Sequence, residues 1–130
     1  MRNTRLSILF VLVGLFAVAV PVVAHHGNAS YDFEKTITLK GTVTQWVWSN
    51  PHCLLKFDVK DDKGEVQHWV TETSSPVDML RAGWSSTMMK PGDEITMEVM
   101  PSKNGAPVGR LRQVTLGDGT VLKVTSRNVI

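Results

Sequence analysis

Histidine is the side chain in this sequence best suited to bind an ion or move a proton, and the chain has four. His25 and His26 stand together in VVAHHGN, His52 follows Asn50-Pro51, and His68 lies in VQHWV. A chain cut after Ala24 begins with histidine. Its α-amine titrates near pH 8 and its imidazole near pH 6.5, so both offer lone pairs at neutral pH. The amine and Nδ1 of one residue close a chelate ring on a single metal ion. A second imidazole, from His52 or from His26, then gives a planar all-nitrogen set that suits Cu(II), the strongest binder among divalent first-row metals. His25, His26 and His52 are therefore the candidate metal ligands and copper the candidate cofactor. A plainer reading stays open, in which the terminal histidines are solvated and His52 caps a turn. His26 falls at the second mature position, so the simple terminal copper-peptide motif, with histidine third, is absent. His68 shares a parity with Val66 and Val70, and a core position is expected for it.

Whether His25 becomes a terminus depends on the leader. Arg2 and Arg5 precede an uncharged apolar run from Leu6 to Val20; Pro21 breaks it, and Val22-x-Ala24 supplies small residues before a cut. The run is shorter than the roughly 20 apolar residues of a membrane span. Residues 1–24 are read as a signal peptide, cleaved on the general secretion route because no twin arginine is present. No cysteine stands at the cut site, which argues against a lipoprotein. Cleavage after Ala29, with Gly27 at −3, is the alternative, and it would remove both terminal histidines.

Loss of residues 1–24 takes two of the 14 Lys+Arg and none of the 12 Asp+Glu, leaving 106 residues with 12 charges of each sign. A neutral mature chain lacks the electrostatic footprint of a nucleic-acid binder. It is long enough for one domain with its own core. The lone Cys53 forms no internal disulfide and, beside Leu54 and Leu55, is expected to be buried.

These residues sit on a framework that reads as strands. Lys35 to Asn50 is rich in β-branched and aromatic residues, with Ile37, Leu39, Val43 and Val47 on one parity. Gly41 interrupts it as a bulge or barrel corner would. Asn50-Pro51 turns the chain. Leu55, Phe57 and Val59 then alternate with Lys56, Asp58 and Lys60, and DDKG leads through a hairpin into EVQHWVTET. Ser75, Pro76 and Asp78 are N-terminal helix signals, and a two-turn helix is expected to end near Gly83. Ile95, Met97 and Val99 mark a fourth strand, RLRQVTL a fifth and TVLKVT a sixth. Three strands, a short helix between strands 3 and 4, and two further strands, with the sixth as an optional final hairpin, predict an all-β, OB-fold-like antiparallel Greek-key barrel. A β-sandwich is the competing architecture. Residues 25–34 form an N-terminal arm and 35–130 the barrel.

Trp46 and Trp48 share the parity opposite to Val43 and Val47, which faces an aromatic pair outward if the valines take the barrel interior; packing of one or both under the helix or the N-terminal arm is the competing reading. OB-folds use such outer faces to bind ligands, so a metal-free module for a glycan, peptide or partner protein is the alternative to a copper-binding protein. Trp69 and Trp84 read as packing residues. No Ser-His-Asp arrangement, HExxH, CxxC or phosphate-cradling glycine loop is present. Glu72 with Asp78, or Glu94 with Glu98, reads as solvated surface, and a non-enzymatic binding protein is expected.

A resemblance adds to this reading. The residues His25-His26, Gly41-Thr42-Val43, Trp48-Ser49-Asn50-Pro51-His52, Gly83-Trp84 and Lys90-Pro91-Gly92-Asp93-Glu94-Ile95 resemble the pattern of a family of small exported bacterial proteins classed as a domain of unknown function. Gly27-Asn28 departs from it, the family often having Ser-Phe there. The resemblance implies a periplasmic, soluble protein of a Gram-negative cell and brings no ligand with it.

Overall fold

In ITLKGTVTQWV the side chains alternate between a barrel interior and solvent, and this run is the strand on which the others assemble. The computed structural model describes residues 30–125; the leader, His25 and His26 lie outside them. The elements are β1 (Ile37–Val47), β2 (Leu54–Lys60), β3 (Val66–Glu72), α1 (Pro76–Arg81), β4 (Glu94–Pro101), β5 (Val108–Thr115) and β6 (Val121–Lys123). The strand order is β3-β2-β1-β4-β5-β6, antiparallel throughout. A parallel pairing of Val70–Glu72 with Val108–Arg110 joins β3 to β5 and closes five strands into a barrel. Closure hides the strand edges that an open sheet would expose. The expected OB-like barrel, with one helix between strands 3 and 4, is what the chain forms.

Its core follows the alternation. Leu55, Phe57, Met97, Val99, Leu111 and Val114 are buried, as are Val43 and Ile95. Phe57 stacks on Trp69, the ring centroids 6.3 Å apart and the planes 11° from parallel. Burying a side chain of this size stabilises the fold by roughly 1.5–3 kcal/mol. Cys53 is buried with a free thiol, and burial pushes that thiol above its usual titration range. Helix α1 starts where the sequence signals it: the Ser75 hydroxyl accepts the Asp78 N–H, and Pro76 occupies the first turn. The helix lasts six residues, buries Met79, and leaves Val77 and Leu80 exposed.

Two expectations about faces are corrected. The β1–β2 register slips between Val43 and Gln45, a bulge that reverses the parity of every later residue in β1. Trp46 and Trp48 consequently pack against the core, and Val47 does not continue the Val43 face. In β3 the inward residues are Trp69 and Thr71, so His68 points outward. Its ring is 80% exposed and meets Asp58, directly across the ladder, at 2.6 Å. Gly41 is not itself the bulge. It lies at a close approach of β1 to the backbone of β2.

Candidate functional site

His52 is positioned by its buried neighbour. The Cys53 N–H donates to the Ser74 carbonyl at 3.0 Å, while the Cys53 carbonyl accepts from the Thr73 N–H at 3.0 Å and the Thr73 hydroxyl at 2.9 Å. These bonds staple the β1–β2 loop to the segment that leaves β3. His52 is thereby held beside Glu72, the last residue of β3, with Nδ1 2.8 Å from Oε1. The imidazole is 43% exposed and the carboxylate 22%.

Glu72 is a meeting point. It pairs with Leu54 on one side and, through the barrel-closing parallel contact, with Arg110 on the other. The Arg110 guanidinium, 16% exposed, reaches Oε1 at 3.4 Å. The Tyr31 hydroxyl donates to Oε2 at 3.5 Å, a long bond. Burial and the Glu72 charge both push the Tyr31 hydroxyl upward, Arg110 opposing, so it stays a donor across the neutral range. Tyr31 arrives from the N-terminal arm, which adds to the end of β4: Tyr31 bridges Ser102, the Asp32 N–H donates to the Pro101 carbonyl at 2.9 Å, and the Lys103 N–H donates to the Ser30 carbonyl at 3.0 Å. Arm, loop and two strands thus converge on one carboxylate.

The predicted residues are divided by this geometry. His52 is half-exposed and oriented. His25 and His26 fall outside the described residues, His26 four positions before Ser30 and His25 five. Among the described residues no group of three or more His, Cys, Asp or Glu side chains could hold a metal ion. Trp46 and Trp48 meet edge to face at 5.6 Å, and Trp46 lies 5.8 Å from the buried Trp84. The Trp46 indole N–H donates to the Ser85 carbonyl at 3.0 Å, and that of Trp84 to the Lys123 carbonyl at 2.9 Å. These indoles fasten the loop after α1, and β6, to the barrel.

Glu72 is corrected from a solvated carboxylate to the centre of the cluster, and Tyr31 and Arg110 join it unforeseen. Tyr31 lay in a segment without a strand pattern, and Arg110 reaches Glu72 through a pairing between residues 38 positions apart. A separate cleft of about 340 Å³, lined by Met88, Lys90, Asp93, Glu94, Ile95, Leu116, Gly117 and Asp118, shares no residue with this cluster.

The model of a family described as a family of unknown function (DUF6152) matches residues 13–112, from within the apolar leader to the middle of β5. The chain belongs to DUF6152. The matched span takes in His25, His26, His52, Glu72 and Arg110, every member of the terminal pair and of the charged cluster. Neither a curated protein nor a solved structure gives a significant match to the chain. Among the described residues no helix is long and apolar enough to cross a membrane.

Proposed function

We propose that this DUF6152 protein is an exported, soluble periplasmic binding protein that holds one Cu(II) ion between its mature N-terminal His25 and His52. The observation that carries the reading is the convergence of Tyr31 and His52 on the Glu72 carboxylate. It brings Tyr31 of the arm to the carboxylate that also holds the side chain which would supply the second imidazole. Ser30 lies five positions after His25, a stretch that spans about 17 Å when extended. The barrel fixes one ligand and the arm delivers a chelating amine and ring. His26 is available as a further nitrogen donor. The protein acts by holding the ion, as a carrier rather than a catalyst. A metal-free module that binds a glycan, peptide or partner protein through Trp46 and Trp48 draws less support, because Trp46 faces the core and spends its indole N–H on Ser85.

The test begins with intact-mass spectrometry of exported protein, which should show loss of residues 1–24. Copper titration of that form should give one Cu(II), bound more tightly than Zn(II). His25→Ala should abolish most of the affinity. His52→Ala should weaken it at least about tenfold, or about 1.4 kcal/mol, and His68→Ala should leave it unchanged. One extra residue before His25 keeps every imidazole but moves the amine. Equal affinity in that extended form would refute the terminal chelate, as would a mature chain starting at Ser30.

A further inference from the structure

We infer that Glu72 is a positioning residue that holds His52 in the Nδ1–H tautomer and leaves Nε2 as the nitrogen that meets the metal ion. The inference rests on the copper reading for the identity of that ion, but the tautomer follows from the geometry alone. A neutral imidazole has one N–H donor and one bare acceptor nitrogen, and the hydrogen bond made by one nitrogen decides the role of the other. The Nδ1 of His52 lies 2.8 Å from Glu72 Oε1. A carboxylate facing a guanidinium has only lone pairs to offer, so the proton between Nδ1 and Oε1 belongs to the imidazole. Nε2 then carries the lone pair on the half-exposed ring.

What separates this contact from an ordinary surface pair is how firmly the acceptor is held. Glu72 Oε1 also faces Arg110, which is 16% exposed, and Oε2 accepts from Tyr31. Three elements hold the carboxylate: β3, which carries it; β5, which carries Arg110; and the arm, which carries Tyr31. The chain contains its own comparison. His68 and Asp58 form the same Nδ1–carboxylate contact at 2.6 Å, yet the His68 ring is 80% exposed. Among the described residues no arginine pairs with Asp58. A carboxylate that orients a ligand histidine in this way fixes the ring and raises its basicity. The arrangement also ties the ligand to the arm, because Tyr31 both braces Glu72 and belongs to the segment that leads back to His25.

The experiment is long-range ¹H–¹⁵N spectroscopy of the full mature protein, read at a pH where the spectra themselves show neutral rings, with His52 assigned by its loss in His52→Asn. His52 should show a protonated Nδ1 and a bare Nε2 before any metal is added. Glu72→Gln, whose amide can donate as well as accept, should move His52 toward the Nε2–H form and leave the His68 signals in place. It should also lower copper affinity by about 10- to 100-fold, whereas Asp58→Asn, at the separate His68 pair, should leave both the His52 signals and the copper affinity near wild type. A wild-type His52 found mainly as Nε2–H would overturn the inference without any variant being needed. An unchanged His52 spectrum in folded Glu72→Gln would overturn it as well. If the wild type shows Nδ1–H but takes up no copper, the tautomer assignment stands and the copper reading falls.

Discussion

Replacing Gly41 with alanine adds one methyl group at the most confined point of β1. An ideal Cβ there lies 2.5 Å from the Asp58 carbonyl oxygen, 3.2 Å from Phe57 Cδ2 and 3.3 Å from the Asp58 carbonyl carbon. To restore ordinary contact near 3.5 Å, β1 and β2 must separate by about 1 Å. Neither strand is free to move. Gly41 pairs with Ile95 on β4, and the next residue, Thr42, pairs with both Asp58 and Glu94. Overpacking of this kind costs about 1–3 kcal/mol, and stretching one ladder hydrogen bond adds about 1 kcal/mol. The stiffer unfolded chain gives back about 0.4–1 kcal/mol. The expected loss is therefore about 1–3.5 kcal/mol, which for a domain of this size lowers Tm by about 5–25 °C. Urea unfolding followed by tryptophan fluorescence reads it directly. Gly64→Ala is the control. No atom crowds its added Cβ, but the backbone sits at φ +80°, so its cost is conformational strain of about 1 kcal/mol. A Gly41→Ala protein within about 0.5 kcal/mol of wild type, or one more stable than Gly64→Ala, would refute the close-approach argument.

Three further outcomes are expected. Phe57→Ala should cost about 3–5 kcal/mol in the same assay because the ring is fully buried, whereas Lys56→Ala, on the opposite face of β2, should cost less than about 0.5 kcal/mol. Ser75→Ala should cost about 1 kcal/mol, the usual value of a lost helix cap. The side-chain bond from Lys90, together with its backbone N–H, holds the Asp93 carboxyl below its ordinary value of 3.8. A depressed carboxyl favours folding above the unfolded value, near pH 4, and loses that contribution as pH falls through the folded value. The gap in urea midpoint between wild type and Asp93→Asn should therefore be present at pH 7 and shrink once pH falls below the ordinary carboxyl value of 3.8, and a gap that widens on acidification would refute the assignment.

Much of this barrel could be read along the chain because its signals are local. Leu55 and Phe57 alternate with Lys56 and Asp58, and Ser75-Pro76 starts a helix in any context that allows one. Ile95, Met97 and Val99 line one face of β4 as their spacing requires. The failures lie where a residue's face is decided elsewhere. The bulge after Val43 depends on the β1–β2 register, which no property of Thr44 or Gln45 announces, and it carried Trp46 and Trp48 from the outer face to the core side. His68 shares an apolar parity with Val66 and Val70, but Trp69 and Thr71 win the interior because Trp69 stacks on Phe57. His52 was singled out for its chemistry, yet its partners Glu72, Arg110 and Tyr31 meet only after the barrel closes.

That closure also governs how the chain reaches its native state. The pairing of Ile37 with Val99 and of Thr42 with Glu94 joins β1 to a strand 52 to 62 residues further on, and Glu72 must find Arg110 across 38 residues. Loops of that length lose entropy before any contact repays it, and domains dominated by such distant pairings fold in milliseconds to seconds rather than microseconds. For a chain that leaves the cytoplasm as an unfolded thread, as proposed here, slowness is useful. The first strand cannot complete its partnerships until β4 has been synthesised, so a nascent chain stays open at least until then.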